Sequence, residues 1–526
     1  MCGGYGRLLL LRKAKKGRKG LGIKGRVAWW LARRYARKHR KEANAAAYYQ
    51  AAVFQELVSR AEYTAFGKEH SFHEILTYSD YQQAVPVRDY EAFRPYVQRI
   101  IRGEKNVLWP GRPKYFAKTS GTTSGVKYIP ITAESLPHHL RTARNTLLSY
   151  VYRCRDPKLA EGKMIFLSGS PELEKVGGIP TGRLSGIVHH HVPSYLTRNR
   201  LPSWKVNVIK DWEAKIEAVV EESRQLDLML ISGIPPWLQN YFEVLLDRTG
   251  KTTVKEVFPS LRVVVHGGVN FVPYAPVLSR LVGGGVEWVE TYPASEGFIA
   301  YQDTDNPDDG LFLNVNAGMF FEFIPVNRLN DDPPPRYSIE QVKVGINYAI
   351  VISSNAGLWG YLLGDTVRFT SVNPYRIKVT GRTHHFISAF GEHVIAEEVE
   401  NALSEASRRC GVCVREFHVA PYVPTNPHEK PRYEWFIEPE KSAHFEVTAF
   451  AEALQQALAK QNIYYADLVR GEIVALPRVV ILRRGAFASY LKRIGKLGGQ
   501  NKPPRLANHR EMAQGLGSYA LHNTVS

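Results

Sequence analysis

The sequence predicts an α/β protein: a large N-terminal domain with a parallel sheet and a β subdomain, then a small α+β C-terminal domain. Four short apolar runs in the first part each end in glycine or turn residues, at 164–167, 228–231, 261–265 and 286–290. Such runs are typical of buried parallel strands that deliver a loop at their carboxyl ends. Strand-like segments follow one another quickly between residues 311 and 380, and helical and strand patterns alternate after Gly381.

The basic charge is concentrated in an N-terminal arm, residues 1–41. The arm contains 15 Lys and Arg and no acid, which leaves 54 basic against 50 acidic residues and a net charge of only +4 elsewhere. A helix is predicted over 27–41; it can rest on an anionic membrane or another polyanion, stay solvated, or dock its tryptophans on the body. The apolar run 8–11 is too short for a secretory signal, and no stretch has the length of a transmembrane helix.

The remaining elements follow from helical spacing and from glycines. Helices are predicted in the large domain at 43–65, 136–151 and 212–222. Thr132 is a suitable N-cap for the second of them. Beyond Gly381 the pattern predicts a helix, a strand and a helix at 396–408, 433–437 and 447–461. The predicted domains are therefore 1–41, 42–380 and 381–526.

Cysteine and histidine usage argues against a metal or redox centre. Four cysteines in 526 residues indicate a reducing compartment, so the predicted location is the cytoplasm; a peripheral place at the membrane is the alternative that a membrane-bound arm would give. Cys410 and Cys413 form one Cys-x-x-Cys pair without a second pair nearby, which predicts a buried structural role. The histidines at 189–191 would alternate between the faces of a strand and lack an acidic cluster, so no metal site is predicted there.

A run of hydroxyl side chains and glycines between Lys118 and Thr132 predicts a phosphate-binding loop. Glycines let backbone N–H groups turn toward one anion, while hydroxyls add donors and lysine adds a charge. A P-loop is excluded, because the glycines are too close together and the β-branched run after Lys127 predicts a strand. Taken alone, an ordinary Ser/Gly surface loop is the alternative. The predicted phosphate ligands are Thr119, Ser120, Gly121, Thr122, Thr123, Ser124, Gly125 and Lys127.

Three further clusters follow predicted strands, where a nucleotide can contact them. Tyr292 offers an aromatic ring for a base, and Glu296 offers a carboxylate for Mg²⁺. Asp365 ends a strand and can accept hydrogen bonds from ribose hydroxyls, while Arg382 is a charged donor beside the predicted boundary. Taken singly, Asp365 can cap a turn and Tyr292 can belong to the core. Their order after the hydroxyl loop favours a nucleotide site.

The order of these motifs resembles the adenylate-forming superfamily and, within it, the auxin-responsive family of acyl acid amido synthetases with its bacterial relatives. The family's three nucleotide motifs are matched at 119–125, 292–296 and 361–365. Residues 390–394 resemble the segment that leads into the family's small domain, and 500–505 resemble its C-terminal lysine motif, which contains Lys502. The resemblance leaves out the basic arm, and Pro293 stands where the family often has a small residue.

The resemblance implies a two-step ligase. A carboxylic acid would be activated with ATP and Mg²⁺ as acyl-AMP, with release of pyrophosphate, and an amine, commonly of an amino acid, would then displace AMP. A small carboxylic acid and an amine are the implied substrates, and no stable protein partner is implied. The resemblance also implies that the small domain is mobile, and residues 381–383 are the predicted pivot, where glycine permits a change of dihedral angle.

The resemblance also implies a role for each predicted residue. Glu296 would bind the metal, Lys502 the reacting carboxylate and phosphate oxygens, and Lys127 the pyrophosphate. The nucleotide contacts would be Tyr292 on the adenine, Ser295 at the α-phosphate, and Asp365 with Arg382 on the ribose.

Two other functions are compatible with the motifs. An acyl-CoA ligase would use the same nucleotide motifs with a thiol acceptor. A basic-tail protein that binds nucleic acid or membrane would keep only a vestigial nucleotide site, and the near-neutral body argues against it.

At the end of one predicted strand, His266, Gly267 and Gly268 either line the acyl site or simply turn the chain.

Overall fold

The structure is a computed structural model that describes residues 21–120, 126–192, 198–268, 271, 274–383, 386–387, 394–422, 424, 429–440, 445–470, 473–496, 503–507 and 509–521. Its helices are α1 (Ile23–Asn44), α2 (Ala46–Ala61), α3 (Ala65–Glu69), α4 (Tyr78–Ala84), α5 (Tyr90–Ile101), α6 (Leu136–Arg153), α7 (Leu184–His189), α8 (Trp204–Asn207), α9 (Trp212–Ser223), α10 (Pro235–Thr249), α11 (Val254–Val257), α12 (Ala275–Val282), α13 (Ala396–Cys410), α14 (Val447–Gln461), α15 (Ile463–Arg470), α16 (Ala486–Arg493) and α17 (Glu511–Gly517). 

Its strands are β1 (Tyr115–Ser120), β2 (Val126–Ile131), β3 (Lys163–Phe166), β4 (Glu174–Val176), β5 (Ile179–Gly182), β6 (Arg200–Leu201), β7 (Leu228–Ser232), β8 (Val263–Gly267), β9 (Glu287–Pro293), β10 (Phe298–Tyr301), β11 (Leu311–Leu313), β12 (Met319–Pro325), β13 (Asn347–Ser354), β14 (Leu358–Val372), β15 (Tyr375–Arg382), β16 (Phe386–Ile387), β17 (Val394–Ile395), β18 (Val414–Tyr422), β19 (Arg432–Pro439) and β20 (Arg478–Ile481).

One large sheet organises the first domain, in the order β12-β13-β14-β15-β11-β10-β9-β8-β7-β3-β6. Strands β6, β3, β7, β8 and β9 are parallel, and they confirm the four apolar runs predicted as buried parallel strands. Strand β10 pairs antiparallel with both β9 and β11, and antiparallel pairing continues from β11 to β12. The predicted β subdomain is therefore the antiparallel half of the same sheet.

A second sheet, in the order β2-β1-β5-β4, carries the phosphate-loop segment. Strands β1 and β2 form an antiparallel hairpin, and β2 confirms the strand predicted after the loop. Strand β5 runs parallel to β1, with Ala117 opposite Gly182. Residue 183, which follows β5, therefore begins beside the end of β1 that leads into the loop.

Helices α1 and α2 correspond to the helices predicted at 27–41 and 43–65. The break between them lies at Ala45, which has φ −131°. Helix α1 buries Ala32, Tyr35 and Ala36 in a hydrophobic cluster shared with α6 and the sheet. Tyr35 Oη also lies 3.1 Å from Tyr301 Oη. The helical part of the basic arm is therefore packed on the large domain.

The predictions for Thr132, for the cysteine pair and for the histidine run are wrong. Thr132 is not the N-cap of α6; its Oγ1 accepts a hydrogen bond from the Ser135 N–H at 2.9 Å, so it stabilises the turn before the helix. Cys413 is exposed and Cys410 half-buried, because the pair lies at a helix end and the connection to β18 rather than inside the core. Residues 189–191 end α7 and the turn after it, so they do not alternate across a strand.

The C-terminal domain packs α13 and α14 together beside the sheet β18-β19-β20. These helices and β19 confirm the elements predicted after Gly381. The domain contacts the large domain at Tyr274, whose Oη donates to Glu416 Oε2 at 3.0 Å and accepts from Arg505 Nη2 at 2.7 Å. The boundary at Gly381 itself stays a prediction. Among the described helices, none is both long and apolar enough to cross a membrane.

Candidate active site

The β1–β2 hairpin presents the two ends of the predicted phosphate loop. Thr119 lies opposite Lys127 in the ladder, and Ser120 lies opposite Val126. Lys127 Nζ is 5.5 Å from the centroid of the Tyr90 ring, a distance at which a cation is attracted to an aromatic face. The hairpin therefore holds a lysine at the base of the loop. The other predicted ligands lie outside the described residues: Gly121, Thr122, Thr123, Ser124 and Gly125.

The second predicted cluster lies at the carboxyl end of β9, on the turn into β10. Backbone hydrogen bonds of 2.9 and 3.3 Å close the four-residue turn 294–297. Tyr292 is buried, whereas Ser295 and Glu296 are half-buried. Tyr361 Oη donates to Glu296 Oε1 at 3.3 Å, so the third motif contacts the second. The Glu296 carboxylate therefore lies at the sheet edge where the predicted motifs meet.

Asp365 lies in the middle of β14, so its predicted place at the end of a strand is wrong. It accepts a hydrogen bond on each of its carboxylate oxygens. Tyr292 Oη donates to Oδ2 at 2.6 Å, and Arg382 Nε donates to Oδ1 at 3.0 Å. Gly364 precedes Asp365 with φ +87°, a conformation that glycine adopts without steric cost, and its carbonyl accepts from the Thr383 N–H at 2.9 Å. The fold thus joins the second motif, the third motif and the predicted pivot in one hydrogen-bonded group.

The charged groups at this sheet edge act on one another. Burial raises the pKa of the Glu296 carboxyl and the Asp365 charge adds to the rise, whereas Lys127 and Arg382 oppose it. The Asp365 charge raises the pKa of Arg382, which therefore stays protonated. Burial, followed by the Asp365 charge, raises the pKa of Tyr292 well above its ordinary value. Tyr292 thus remains a hydrogen-bond donor at neutral pH.

The C-terminal lysine motif ends at the domain interface. Lys502 lies outside the described residues. Three residues later, Arg505 forms an ion pair with Glu416 and donates to Tyr274 Oη at 2.7 Å. The Arg505 carbonyl also accepts from the Val419 N–H of β18 at 2.9 Å. These contacts hold the end of the motif against both domains.

His266 lies near the carboxyl end of β8, directly before the two glycines of the predicted turn. Its ring stacks on the Phe271 ring, with centroids 4.0 Å apart. Burial lowers the pKa of His266 to about 3, so the imidazole is neutral at physiological pH. The His266 carbonyl accepts from Thr291 Oγ1 at 2.9 Å, which ties the turn to β9 one strand away from the Tyr292 cluster.

Three cationic side chains near the carboxyl end of β3 form a group that no predicted motif includes. Arg183, directly after β5, lies across Gly169: a Cβ atom placed on that glycine would be 2.7 Å from Arg183 Cδ. Arg200, in β6, has its Cζ 5.2 Å from the centroid of the Phe166 ring. Lys215, in α9, is 4% exposed. We call Arg183, Arg200 and Lys215 the cationic cluster.

The cationic cluster has no acidic partner within the described parts of the chain. Lys215 Nζ donates to the carbonyl oxygens of Ser168 and Asn207, at 2.9 and 2.8 Å, and to Asn207 Oδ1 at 2.7 Å. Burial, with the Arg183 charge, lowers the pKa of Lys215 to about 8, and burial lowers the pKa of Arg200 to about 10. Desolvated cations without a carboxylate of their own favour an incoming anion.

Only a weak sequence signal could have found this cluster. Its members are separated by 15 residues or more along the chain and share no motif. The available hint is the glycine before Arg183, which ends β5, a strand that the sequence patterns did not predict.

Three models of one family match successive parts of the chain. The model of the GH3 family N-terminal domain matches residues 36–220, that of the central domain 312–382, and that of the C-terminal domain 397–511. Together these ranges cover well over half of the sequence. The chain belongs to the GH3 family. The resemblance predicted from the motifs is thereby confirmed.

Relatives of this GH3 chain are distant in sequence but similar in fold. Indole-3-acetic acid-amido synthetase GH3.10 of Arabidopsis thaliana is 23% identical across 81% of this chain and 86% of that protein. The structure of AtGH3.15 acyl acid amido synthetase with 2,4-DB has a TM-score of 0.77, 16% identity, and coverage of 93% of this chain and 96% of that one. A 2-hydroxyisobutyryl-CoA ligase in the postadenylation state has a TM-score of 0.57, 13% identity, and coverage of 89% and 91%. At these identities the structural likeness shows the fold.

The GH3 domain ranges contain most, though not all, of the site. The N-terminal range includes the β1–β2 hairpin and the cationic cluster, the central range includes Asp365 and Arg382, and the C-terminal range includes Arg505. Tyr292 and Glu296 lie between the N-terminal and central ranges. Residues 23–35 of α1 precede all three ranges, so this part of the helix is not covered by the family models.

Proposed function

We propose that this GH3-family protein is an ATP-dependent acyl acid amido synthetase, which activates a carboxylic acid as acyl-AMP and transfers the acyl group to an amino acid. The observation that carries the proposal is the hydrogen-bonded group of Tyr292, Asp365 and Arg382, with Glu296 and Lys127 beside it. That group sits next to the hairpin that bears the hydroxyl loop. Membership of a family whose named relatives include amido synthetases supports an amine as acceptor.

The donors and acceptors of the site match the chemistry of ATP. The hydroxyl loop and Lys127 would bind the phosphates, because hydroxyl and N–H donors with one ammonium group complement an anion. Asp365 would accept from the ribose hydroxyls, and Arg382 holds that carboxylate in place. Tyr292 would lie against the adenine and Ser295 near the α-phosphate.

Mg²⁺ fits the same edge of the sheet through Glu296. The Glu296 carboxylate supplies the hard oxygen that this ion prefers, and it lies within the electrostatic reach of Lys127 and Arg382. When bound, Mg²⁺ would neutralise charge on the phosphate oxygens. The two protein cations would share that task and help keep Glu296 ionised.

In the adenylation step, an oxygen of the substrate carboxylate attacks the α-phosphorus and pyrophosphate leaves. Negative charge accumulates on phosphate oxygens, so the protein mainly positions the reactants and neutralises charge. Lys502 would bind the reacting carboxylate and phosphate oxygens and neutralise their negative charge. Its motif ends at Arg505, which is bound to Tyr274 and Glu416, so a change in the domain arrangement would move the motif as well.

In the transfer step, the acceptor amine attacks the acyl carbon and AMP leaves. An amino acid carries a second group, its own carboxylate, which must not react. Arg183 can bind that carboxylate, because it lies beside β1 and has no acidic partner among the described residues. Arg200 and Lys215 add positive charge behind it, and Lys215 keeps its ammonium donors on Ser168 and Asn207.

The finer assignments of cofactor, partner and place belong to this proposal. Mg²⁺ as the metal, the cytoplasm as the location, and contact of residues 1–41 with an anionic membrane or polyanion all stay predictions. An acyl-CoA ligase is the second candidate, because the fold is shared with a CoA ligase and the adenylation step would be identical.

The test is pyrophosphate release with ATP and Mg²⁺ over a panel of small carboxylic acids, each with and without mixed amino acids or CoA. Products would be identified by mass spectrometry. A new amide that requires both an acid and an amino acid is the expected result. A thioester formed only with CoA would replace the proposal with the ligase function, and pyrophosphate release without an amide would limit the protein to adenylation.

A further inference from the structure

Helix α1 has two faces with different surroundings. Its inward face packs on the large domain: Gly25 N–H donates to Glu161 Oε1 at 3.1 Å, and His39 Nε2 lies 2.9 Å from Asp303 Oδ2. Asp303 also accepts from Arg376 Nη2 at 2.8 Å, which ties this end of α1 to strand β15. The inward face is thus already occupied along the length of the helix.

The outward face combines apolar and basic side chains at helical spacing. Ile23, Val27 and Trp30 are 79%, 49% and 59% exposed. Arg34, Arg37 and Lys41 continue the same line of positions, since spacings of three and four residues stay on one face of a helix. We define the outward face of α1 by these residues: Ile23, Val27, Trp30, Arg34, Arg37 and Lys41.

Additional cations border this face. Lys24, Arg26, Arg33, Lys38 and Arg40 are exposed, and residues 21–41 contain eight Lys and Arg without one acid. The only ion pair from this set within the described residues joins Lys38 to Glu42 at 3.4 Å. Arg34 Cζ lies 6.0 Å from the centroid of the Trp30 ring, so basic and apolar groups are adjacent. The field of this surface is strongly positive.

We propose that the outward face of α1 docks the protein on an anionic lipid bilayer, with the helix lying in the plane of the headgroups. Ile23 and Val27 would enter the boundary of the acyl chains, and Trp30 would lie at headgroup level, where tryptophan is enriched. Arg34, Arg37 and Lys41 would contact lipid phosphates and carboxylates. Because α1 is packed on the sheet, docking would hold the whole large domain at the surface.

A lipid bilayer accounts for the residues on the outward face of α1 better than nucleic acid or residues 1–20 do. Nucleic acid would use the cations but would leave Ile23 and Val27 in water. Residues 1–20 are poor candidates to cover the face, because they contain seven Lys and Arg and no acid and would be repelled by it. A membrane uses the apolar and basic groups together, which is the combination that binds peripheral helices to anionic bilayers.

The experiment is co-sedimentation of the full chain with vesicles of equal parts phosphatidylserine and phosphatidylcholine, compared with pure phosphatidylcholine. We expect sedimentation with the mixed vesicles only, weakened by added salt. Ile23→Ser combined with Trp30→Ser, and separately Arg34→Glu combined with Arg37→Glu, should each lower the partition coefficient about tenfold or more. All these side chains are exposed, so the thermal midpoint should not change.

Matched controls change exposed residues of the same types elsewhere. Leu76→Ser removes an apolar side chain that is 85% exposed, and Lys343→Glu reverses an exposed charge; both should sediment like the wild type. Sedimentation of the Ile23→Ser/Trp30→Ser variant at wild-type levels would overturn the proposal. So would binding to a short duplex RNA or DNA that resists this double substitution while the mixed vesicles fail to sediment the protein. Pyrophosphate release, measured in parallel, should be the same in every variant.

Discussion

Asp365 and Arg382 lie opposite each other in the β14–β15 ladder, and Arg382 Nε donates to Asp365 Oδ1 at 3.0 Å. This contact joins the third nucleotide motif to the end of β15, beside the predicted domain boundary at Gly381. Tyr292 Oη occupies the other carboxylate oxygen at 2.6 Å. A substitution at any one of these residues should therefore alter the hydrogen bonding of the other two, and it should weaken binding of the nucleotide that they are proposed to contact.

Replacing Tyr292 with phenylalanine should weaken ATP binding through Asp365. The variant keeps the ring but leaves Asp365 Oδ2 without its donor, a loss of about 1–1.5 kcal/mol, so the KM for ATP should rise about five- to tenfold. Steady-state kinetics of pyrophosphate release would measure it. The double variant with Asp365→Asn should show less than the sum of the single effects. Additive effects would mean that the Tyr292 hydroxyl acts on ATP independently of Asp365.

Lys502→Ala should slow adenylation far more than it weakens ATP binding. A charge that acts mainly as negative charge develops contributes to the rate, so a loss of about a hundredfold or more is expected, with less than about a threefold change in the Kd for ATP. Rapid-quench measurement of acyl-AMP and calorimetry of ATP binding separate the two. Lys492→Ala, at an α16 lysine that is 70% exposed, is the matched control. Equal losses in rate and binding would remove the catalytic role.

Arg183→Gln should raise the KM for an amino acid acceptor about ten- to a hundredfold, because a charge-assisted contact to its carboxylate is lost. The KM for the corresponding amino acid amide, which has no carboxylate, should change little. Arg198→Gln, at an exposed arginine of the neighbouring loop, is the control. If the variant instead raises the KM for the acyl acid in pyrophosphate exchange without acceptor, Arg183 binds the first substrate.

Lys215 should make stability rise with pH above about 8. Its pKa is lowered from 10.5 to about 8 in the folded protein, so the unfolded chain binds more protons between these values. Below about pH 8 the full cost of burying the charge is present, and the cost is relieved as pH rises. Between about pH 8 and pH 9.5, the unfolding free energy of the wild type should increase by about 1.5 kcal/mol relative to Lys215→Met. Urea unfolding of both proteins measures this, and parallel pH profiles would refute it.

The buried ion pair between Glu322 and Arg336 should be sensitive to removal of one partner. Their side chains are 0% and 5% exposed, and Arg336 Nη2 lies 2.7 Å from Glu322 Oε2. Glu322→Gln leaves the Arg336 charge buried without compensation, so a loss of about 3–5 kcal/mol is expected in urea unfolding. Arg328→Ala, which breaks an exposed pair with Asp331, should cost less than about 1 kcal/mol. Similar losses from the two substitutions would contradict this account.

The sequence predicts those parts of the fold that depend on local patterns. Apolar runs that end in glycine or turn residues identify β3, β7, β8 and β9, and helical spacing identifies α1, α2 and α9. The strand after Lys127 follows from β-branched residues and a proline. Thr132 shows the limit of such reasoning. It is a good capping residue by type, but it lies three residues before Ser135, the actual N-cap of α6.

For the candidate site, too, the sequence predicts some features and not others. Tyr292, Glu296, Asp365 and Arg382 are predicted as candidates, because each follows a strand-like run and matches a motif. Their contacts are not predictable, because Tyr292 and Asp365 are separated by 73 residues and meet only through the order of strands in the sheet. The cationic cluster has no motif at all and exists only because β3, β5, β6 and α9 converge.

By itself, the sequence determined the strand and helix types, the nucleotide motifs and the concentration of basic charge at the N-terminus, since each depends on neighbouring residues. The tertiary structure alone decided that β10 and β11 join the parallel and antiparallel strands into one sheet. It also decided which face of α1 is covered: periodicity places Ala28 and Trp30 on different faces, but only packing on the large domain buries the first and leaves the second 59% exposed. Long-range burial is a property of the assembled chain, and no local pattern contains it.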